Sequence, residues 1–246
     1  MIAFIVPYRD REQQKLFFEK QMTTEVMKNY TYGIDYIILF IHQQDNRLFN
    51  RGALKNIGYL VIKELYPETY KTITMVFNDV DVMPFTADFL DYKTEPGKIK
   101  HFYGYTHTLG GIVSIMPEDF ETMNGFPNFW TWGYEDTILQ NRANEKSIKI
   151  DRSQFYPLYD KNILYYIHDF ERVMSHKENS KITSGSNEGI AEIKNLEYNI
   201  DNENKLVNIT RFDTSNPQPT QTFIHDSRKE FYIPGAPVKL KFTKKT

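Results

Sequence analysis

The chain contains no cysteine. Disulfides and thiolate zinc sites are therefore excluded, and a reducing compartment is favoured. It has no excess of either charge: 30 Lys and Arg stand against 32 Asp and Glu, a formal net charge of −2. No global field draws such a chain to nucleic acid or to an anionic membrane surface. No apolar run approaches the roughly 18 residues needed to cross a bilayer. The apolar opening, residues 1–6, is followed at once by Pro7 and then by Arg9-Asp10-Arg11-Glu12, and it lacks the basic segment that starts a signal peptide. The expectation is a cytoplasmic protein with no signal peptide, anchor or transmembrane segment. Phosphate-cradling loops of the Gly-x-x-x-x-Gly-Lys and Gly-x-Gly-x-x-Gly kinds are missing, as is Gly-x-Ser-x-Gly. Nucleophilic-hydrolase readings have little support. Tryptophan is scarce, with two in 246 residues, whereas aromatics as a group are abundant. That abundance suits carbohydrate stacking or a tyrosine-rich core.

The periodicity is that of alternating strands and helices. Residues 2–6 are a continuous apolar run, as in a strand covered on both faces, closed by Pro7. Residues 12–29 carry helical spacing, with Leu16, Phe17, Met22, Val26 and Met27 as the apolar face. Residues 35–42 read as a second buried strand. Residues 53–65 read as a helix with Pro67 just beyond it, and residues 72–77 as a third strand. This β-α-β-α-β order predicts an α/β fold with a Rossmann-like, mainly parallel sheet and helices on both faces. Further strands are expected at 112–116 after a glycine pair and at 163–167, with short helices at 117–123 and 136–144. A hairpin is expected over 188–212, turning at Asp201-Asn202-Glu203-Asn204, as a small C-terminal β extension. Residues 214–222 read as a linker and 238–242 as an edge strand with outward lysines. The domain division is a catalytic unit at 1–212 and a Pro/Ser/Thr-containing linker with a basic tail at 213–246.

Ligands of such sheets bind beyond the carboxyl ends of the strands. Those ends deliver Pro7-Tyr8-Arg9-Asp10-Arg11, Gln43-Gln44-Asp45 and Asp79-Val80-Asp81. In an extended strand Asp79 and Asp81 would point the same way. Carboxylate oxygens at a strand end suit Mg²⁺ or Mn²⁺ with a diphosphate in its shell. The alternative is a solvated acidic turn. Both tryptophans lie in Asn128-Phe129-Trp130-Thr131-Trp132-Gly133-Tyr134-Glu135-Asp136. An aromatic wall beside an acid pair suits a sugar ring, and one carboxylate could take the proton of an acceptor hydroxyl. Equally, Glu135 and Asp136 could be an acidic pair favoured by a helix N-terminus. Arg9, Arg11 and Arg51 could hold a diphosphate or form ordinary surface ion pairs. His168 and its rival His176 could be metal ligands or structural.

Taken in order, these segments resemble the β-1,4-galactosyltransferase family. Pro7-Tyr8-Arg9-Asp10-Arg11 resembles its Pro-Phe-Arg-x-Arg motif, and Phe49-Asn50-Arg51-Gly52 its Phe-Asn-Arg-Ala. Asp79-Val80-Asp81 matches its Asp-Val-Asp, and Gly110-Gly111-Ile112-Val113-Ser114 is similar to its Gly-Gly-Val-Ser. Residues 124–136 are similar to its Asn-Gly-Phe-Pro-Asn and Trp-Gly-Trp-Gly-Gly-Glu-Asp-Asp-Asp block. The likeness runs over about residues 2–212.

The resemblance implies a GT-A fold, Mn²⁺ (with Mg²⁺ possible), a UDP-sugar donor, a saccharide or glycoconjugate acceptor and inversion at the anomeric carbon. It implies that Pro7, Tyr8, Arg9, Arg11, Phe49 and Arg51 cradle UDP. On the same resemblance, Asp79, Val80, Gly111 and Trp132 would complete the donor site, and Asp81 and His168 would bind the metal. Trp132 would be the tryptophan of a mobile loop, Glu135 a sugar-hydroxyl partner and Asp136 the general base, with Thr108, Tyr134 and Trp132 at the acceptor. Four departures stand out. Tyr134 replaces a family glycine, and Thr137 its third acid. Tyr165 or Tyr166 takes the place of a metal-binding Met or His. Thr108 replaces a tyrosine, which leaves room for an N-acetyl group. The expected activity is galactosyl transfer from UDP-galactose. A UDP-GalNAc or UDP-glucose transferase, or an inactive nucleotide-sugar-binding relative, stands as the alternative.

Overall fold

Strand β1 (Ile2–Tyr8) lies inside the sheet, with β2 (Tyr36–Gln43) on one side and β3 (Thr74–Asn78) on the other, both parallel to it. Its side chains divide between two cores. Ala3 and Ile5 pack with Ile57 and Val61 of helix α2 (Arg51–Leu65). Ile2, Phe4 and Val6 pack with Phe18 of helix α1 (Glu12–Gln21) and with Met22 and Val26 just beyond it. Helices on both faces explain why the strand is apolar without alternation. The computed structural model describes residues 1–167, 169–184 and 187–229, so the edge strand expected at 238–242 lies outside the described residues.

Chain order continues with β4 (Val82–Pro84), β5 (Lys98–Gly104), β6 (Ile112–Ile115), α3 (Pro117–Thr122), α4 (Glu135–Glu145), β7 (Lys149–Asp151), β8 (Tyr156–Pro157), β9 (Ile163–Tyr165), β10 (Glu171–Met174), β11 (Lys194–Asp201), β12 (Leu206–Asp213) and β13 (Phe223–Asp226). The main sheet runs β11-β12-β2-β1-β3-β6-β5-β7, with β8 also on β5. It is parallel from β12 to β3, and β6 is antiparallel to both neighbours. The β11–β12 hairpin forms where the sequence predicts it. It then joins the central sheet, because β12 pairs in parallel with β2. Beyond the linker-like stretch, β13 pairs antiparallel with β10. Among the described residues no helix is long and apolar enough to cross a membrane.

Three local expectations need correction. Pro7 does not close β1, which continues to Tyr8. The β3 ladder ends at Ile5, so beyond it the strand pairs with β2 alone, and a residue without an N–H is tolerated where one ladder suffices. The inward face of the first helix is Phe18, Met22, Val26 and Met27, while Leu16 and Phe17 face solvent. After Gln21 the helix widens into a π-helical turn, Met22–Val26, closed by Met27 N–H donating to Met22 O at 2.8 Å. Finally, Asp79-Val80-Asp81 is a tight turn rather than strand. Val82 N–H donates to Asp79 O at 3.2 Å, and the buried Asn78 amide bridges Asp79 O and Val82 O. The two carboxylates therefore need not share a face.

Candidate active site

Arg51 opens α2. The helix begins there because Asn50, fully buried, caps it by accepting from Ala53 N–H at 2.9 Å. Gly52 lets the first turn meet the chain at Pro127: a Cβ would lie 2.1 Å from Pro127 O. So placed, the guanidinium gathers three carboxylates from distant segments. Nη1 donates to Asp79 Oδ2 at 2.9 Å, Nε to Glu135 Oε1 at 2.7 Å, and Nη2 to Asp136 Oδ2. One turn later, Lys55 Nζ lies 3.2 Å from Asp136 Oδ1 and 3.7 Å from Asp79 Oδ1. Burial works against charge on Arg51, but Asp136, Asp79 and Glu135 together hold it firmly protonated. Burial likewise opposes ionisation of Asp136, and Arg51 and Lys55 outweigh it, keeping the carboxyl below its ordinary range.

The glycine pair walls this cluster. A Cβ on Gly110 would meet Asp136 Oδ2 at 2.5 Å, and Gly111, with φ of +70°, lies against Tyr103 O. Asp79 N–H donates to Gly111 O and Leu109 N–H to Asp136 O, each at 3.0 Å. Tyr134 precedes α4 in the left-handed region, φ +68°, a conformation that favours glycine. This is the position at which the family resembled here carries one. Asp81 turns to a different environment. Burial and the charge on Asp79 push its carboxyl up to about 6, against the weaker pull of Arg51 and Arg172. Tyr165 of β9 is raised by burial and then by the charge of Asp81.

The remaining predicted residues divide. Tyr8 is buried against Phe40 and His42. Arg9 lies over the Phe49 ring, 5.3 Å from its centroid, and donates to Arg47 O at 2.6 Å. Arg9 also lines an open cleft of about 730 Å³ with His42, Gln43, Asp45 and Arg47 at the ends of β1 and β2. Arg11 instead pairs with Asp169 at 2.9 Å. Pro7 and Val80 are buried. Thr108 is half-buried in the turn it closes on Tyr105.

The two tryptophans do not form one wall. Trp130 is core: it stacks on Phe212 at 5.4 Å under the Arg47 guanidinium, and its Nε1–H donates to Asn216 O. Trp132 is 41% exposed, its backbone N–H held by Val173 O. His168 lies outside the described residues, and the His176 ring stacks on Phe223. Among the described residues no group of three His, Asp or Glu is placed to hold a metal ion.

Sequence reading missed Lys55, Arg47 and Glu178. Lys55 is detectable as a cation in mid-helix among the apolar residues of α2, one turn after Arg51. Glu178, which accepts from Trp130 N–H and Thr131 Oγ1–H at 2.9 and 2.6 Å, and Arg47 gave no signal, because their partners are distant in sequence.

The chain is similar to known proteins in sequence and in fold. Residues 1–94 match the model of the N-terminal region of glycosyl transferase group 7, and residues 94–169 match a galactosyltransferase domain model, described as an N-terminal domain of galactosyltransferase. β-1,4-Galactosyltransferase 7 of Drosophila melanogaster is 28% identical over 177 residues, 68% of this chain and 52% of that protein. Human β-1,4-galactosyltransferase 4 is 33% identical over 161 residues, 61% of this chain and 44% of that protein. The chain thus spans about half the length of the curated relatives it matches. The crystal structure of the Drosophila β-1,4-galactosyltransferase 7 catalytic domain with xylobiose superposes with a TM-score of 0.66 at 22% identity, covering 88% of this chain and 94% of that one. A variant of that enzyme, in complex with manganese, UDP-Gal and xylobiose, gives 0.63 at 20% identity with the same coverage. With two adjoining family models covering residues 1–169, a shared fold, and the Phe-Asn-Arg, Asp-Val-Asp, Gly-Gly and Glu-Asp segments meeting around Arg51, the chain belongs to the β-1,4-galactosyltransferase family.

Proposed function

We propose that this chain is a metal-dependent, inverting galactosyltransferase that moves galactose from UDP-galactose to a hydroxyl of a saccharide acceptor. The observation that carries the reading is the Arg51 hub, which joins Asp79 of the β3–β4 turn to Glu135 and Asp136 at the head of α4. Donor-side and acceptor-side acids thereby share one cation. Asp136 is held ionised by Arg51 and Lys55, so it is ready to accept a proton from the attacking hydroxyl. The exposed Trp132 offers a face for a sugar ring, and Glu135 a carboxylate for its hydroxyls. The cleft beside Arg9 is large enough for a nucleoside.

Asp81 is a hard oxygen ligand of the kind a divalent cation takes, and burial and the neighbouring charge of Asp79 disfavour its negative charge when no cation is near. Asp81 would hold Mn²⁺, with Mg²⁺ as a substitute, and His168 is the further ligand of this proposal. When bound, the cation supplies positive charge against the departing diphosphate. The manganese and UDP-Gal in the Drosophila complex support the reading.

The test is UDP release from UDP-Gal, UDP-GalNAc, UDP-Glc and UDP-GlcNAc, each with and without Mn²⁺. Release from UDP-Gal that requires Mn²⁺ is the expected result. Asp136→Asn should cost about 10²–10⁴ in rate while leaving the thermal stabilisation by UDP and Mn²⁺ in place. No release from any donor would sink the proposal. Preference for UDP-GalNAc would instead credit Thr108, whose small side chain leaves space at its turn.

A further inference from the structure

Lys55 is the most deeply buried cation of the site, its side chain 2% exposed. Lysine is almost never this buried unless paired. Replacing a buried ion pair as a whole by apolar residues is often neutral or stabilising. Stability alone therefore does not account for a lysine between Leu54 and Asn56 on a helix packed into the core. Geometry offers a better account. Residues 51 and 55 are one helical turn apart and share a face. From that face Arg51 takes Asp136 Oδ2 and Lys55 takes Asp136 Oδ1 at 3.2 Å. Gly110 closes the space behind Oδ2. The terminal torsion of an aspartate is soft, so a carboxylate held by Arg51 alone could turn about it. Held at both oxygens, its plane is fixed. Lys55 Nζ also stands 3.7 Å from Asp79 Oδ1, an oxygen with no hydrogen-bond partner among the described residues. Its ammonium lies 4.5 Å from the Phe126 ring centroid, which limits where else it can go.

We propose that Lys55 is a positioning residue for the transfer, fixing the plane of the Asp136 carboxylate and tying it to Asp79, so that the base and the donor-side acid are held as one unit. The proposal rests on Asp136 being the base. It predicts a loss in the chemical step rather than in donor capture, since Lys55 is buried behind the carboxylates.

The experiment is a double-mutant cycle on the full chain, with UDP release from UDP-galactose in Mn²⁺, xylobiose or water as acceptor, and melting temperature read in parallel. Lys55→Met should lower kcat by about 10–100-fold, the scale of a misplaced reacting group, with the donor KM changed by no more than about twofold. In the Asp136→Asn background the same substitution should cost no more than about twofold further, because the group it positions is gone. Lys55→Gln, which keeps an N–H donor, should fall between wild type and Lys55→Met, and it serves as the test if Lys55→Met does not fold. A kcat near wild type in a folded variant would overturn the proposal. So would an equal cost in both backgrounds, or a loss confined to the donor KM. Absence of UDP release by the wild type is a distinct result: it overturns the transferase reading, and this proposal with it.

Discussion

At the scale of single residues, His101 and Gly110 show how the site is braced from behind. Arg152 Nε–H donates to His101 Nδ1 at 3.0 Å, so the ring proton sits on Nε2 and donates to Tyr103 O and Gly110 O at 3.0 and 3.1 Å. The ring is neutral, and burial followed by the Arg152 charge pushes its pKa down from 6.5 to about 4. A depressed histidine binds its proton better in the unfolded chain. Its contribution is whole above pH 6.5 and is lost as pH falls towards 4, by about 2–3 kcal/mol. Urea unfolding between those limits should show this decline, with a shallower slope in His101→Gln; equal slopes would contradict it. Gly110→Ala tests the same wall. Its Cβ would stand 2.5 Å from Asp136 Oδ2, so the carboxylate must shift. Transfer should fall by about 10²-fold with a small change in melting temperature, and normal turnover would show that Asp136 has slack.

At the scale of elements, α2 is the organising piece. Its start is fixed by Asn50, which also donates to Asn128 O at 3.2 Å and so joins the helix to the loop that leads to Trp130. Asn50→Ala should cost about 1–3 kcal/mol, through a lost cap and an unpaired buried carbonyl. It should weaken activity too, because Arg51 and Lys55 lose their origin. Denaturant midpoints and UDP release read the two effects separately. Further along, Gly58 sets how closely α2 lies on the sheet: a Cβ would meet Ile5 Cγ2 at 2.3 Å. The helices legible in the sequence were those whose apolar phase is unbroken, as in α2. In α1 the residue turned inward is Phe18, which packs on Phe40, rather than its neighbours Leu16 and Phe17, a choice made by packing rather than by local propensity.

At the scale of the whole molecule, the C-terminal part is tied to the site. Trp130 Nε1–H donates to Asn216 O, Leu48 N–H to Gln218 Oε1 at 2.8 Å, and Lys181 Nζ to Asn216 Oδ1 at 2.5 Å. The stretch that reads as a linker is thus a strap across the Trp130 loop and the entry to α2, before β13 joins β10. A chain ending at residue 213 should melt several degrees lower, about the effect of losing one or two kcal/mol. It should also show a smaller thermal shift with UDP and Mn²⁺. An unchanged melt would mean that the strap only lies on the surface.

The sequence by itself determined the parallel centre of the sheet, the helices on its two faces, a hairpin within 188–212 and the family. Each of these depends on local periodicity or on short ordered motifs, which survive without knowledge of distant contacts. It also named Arg51, Asp79, Glu135 and Asp136. Only the tertiary structure decided that the three carboxylates meet on the Arg51 guanidinium. It alone parted Asp79 from Asp81 by a tight turn, buried Trp130 while exposing Trp132, and brought Lys55 to the base. The physical reason is common to all of them. Burying charge demands a partner, and the partners lie tens of residues away, so the pairing is fixed by how the elements pack and cannot be read from neighbours in the chain.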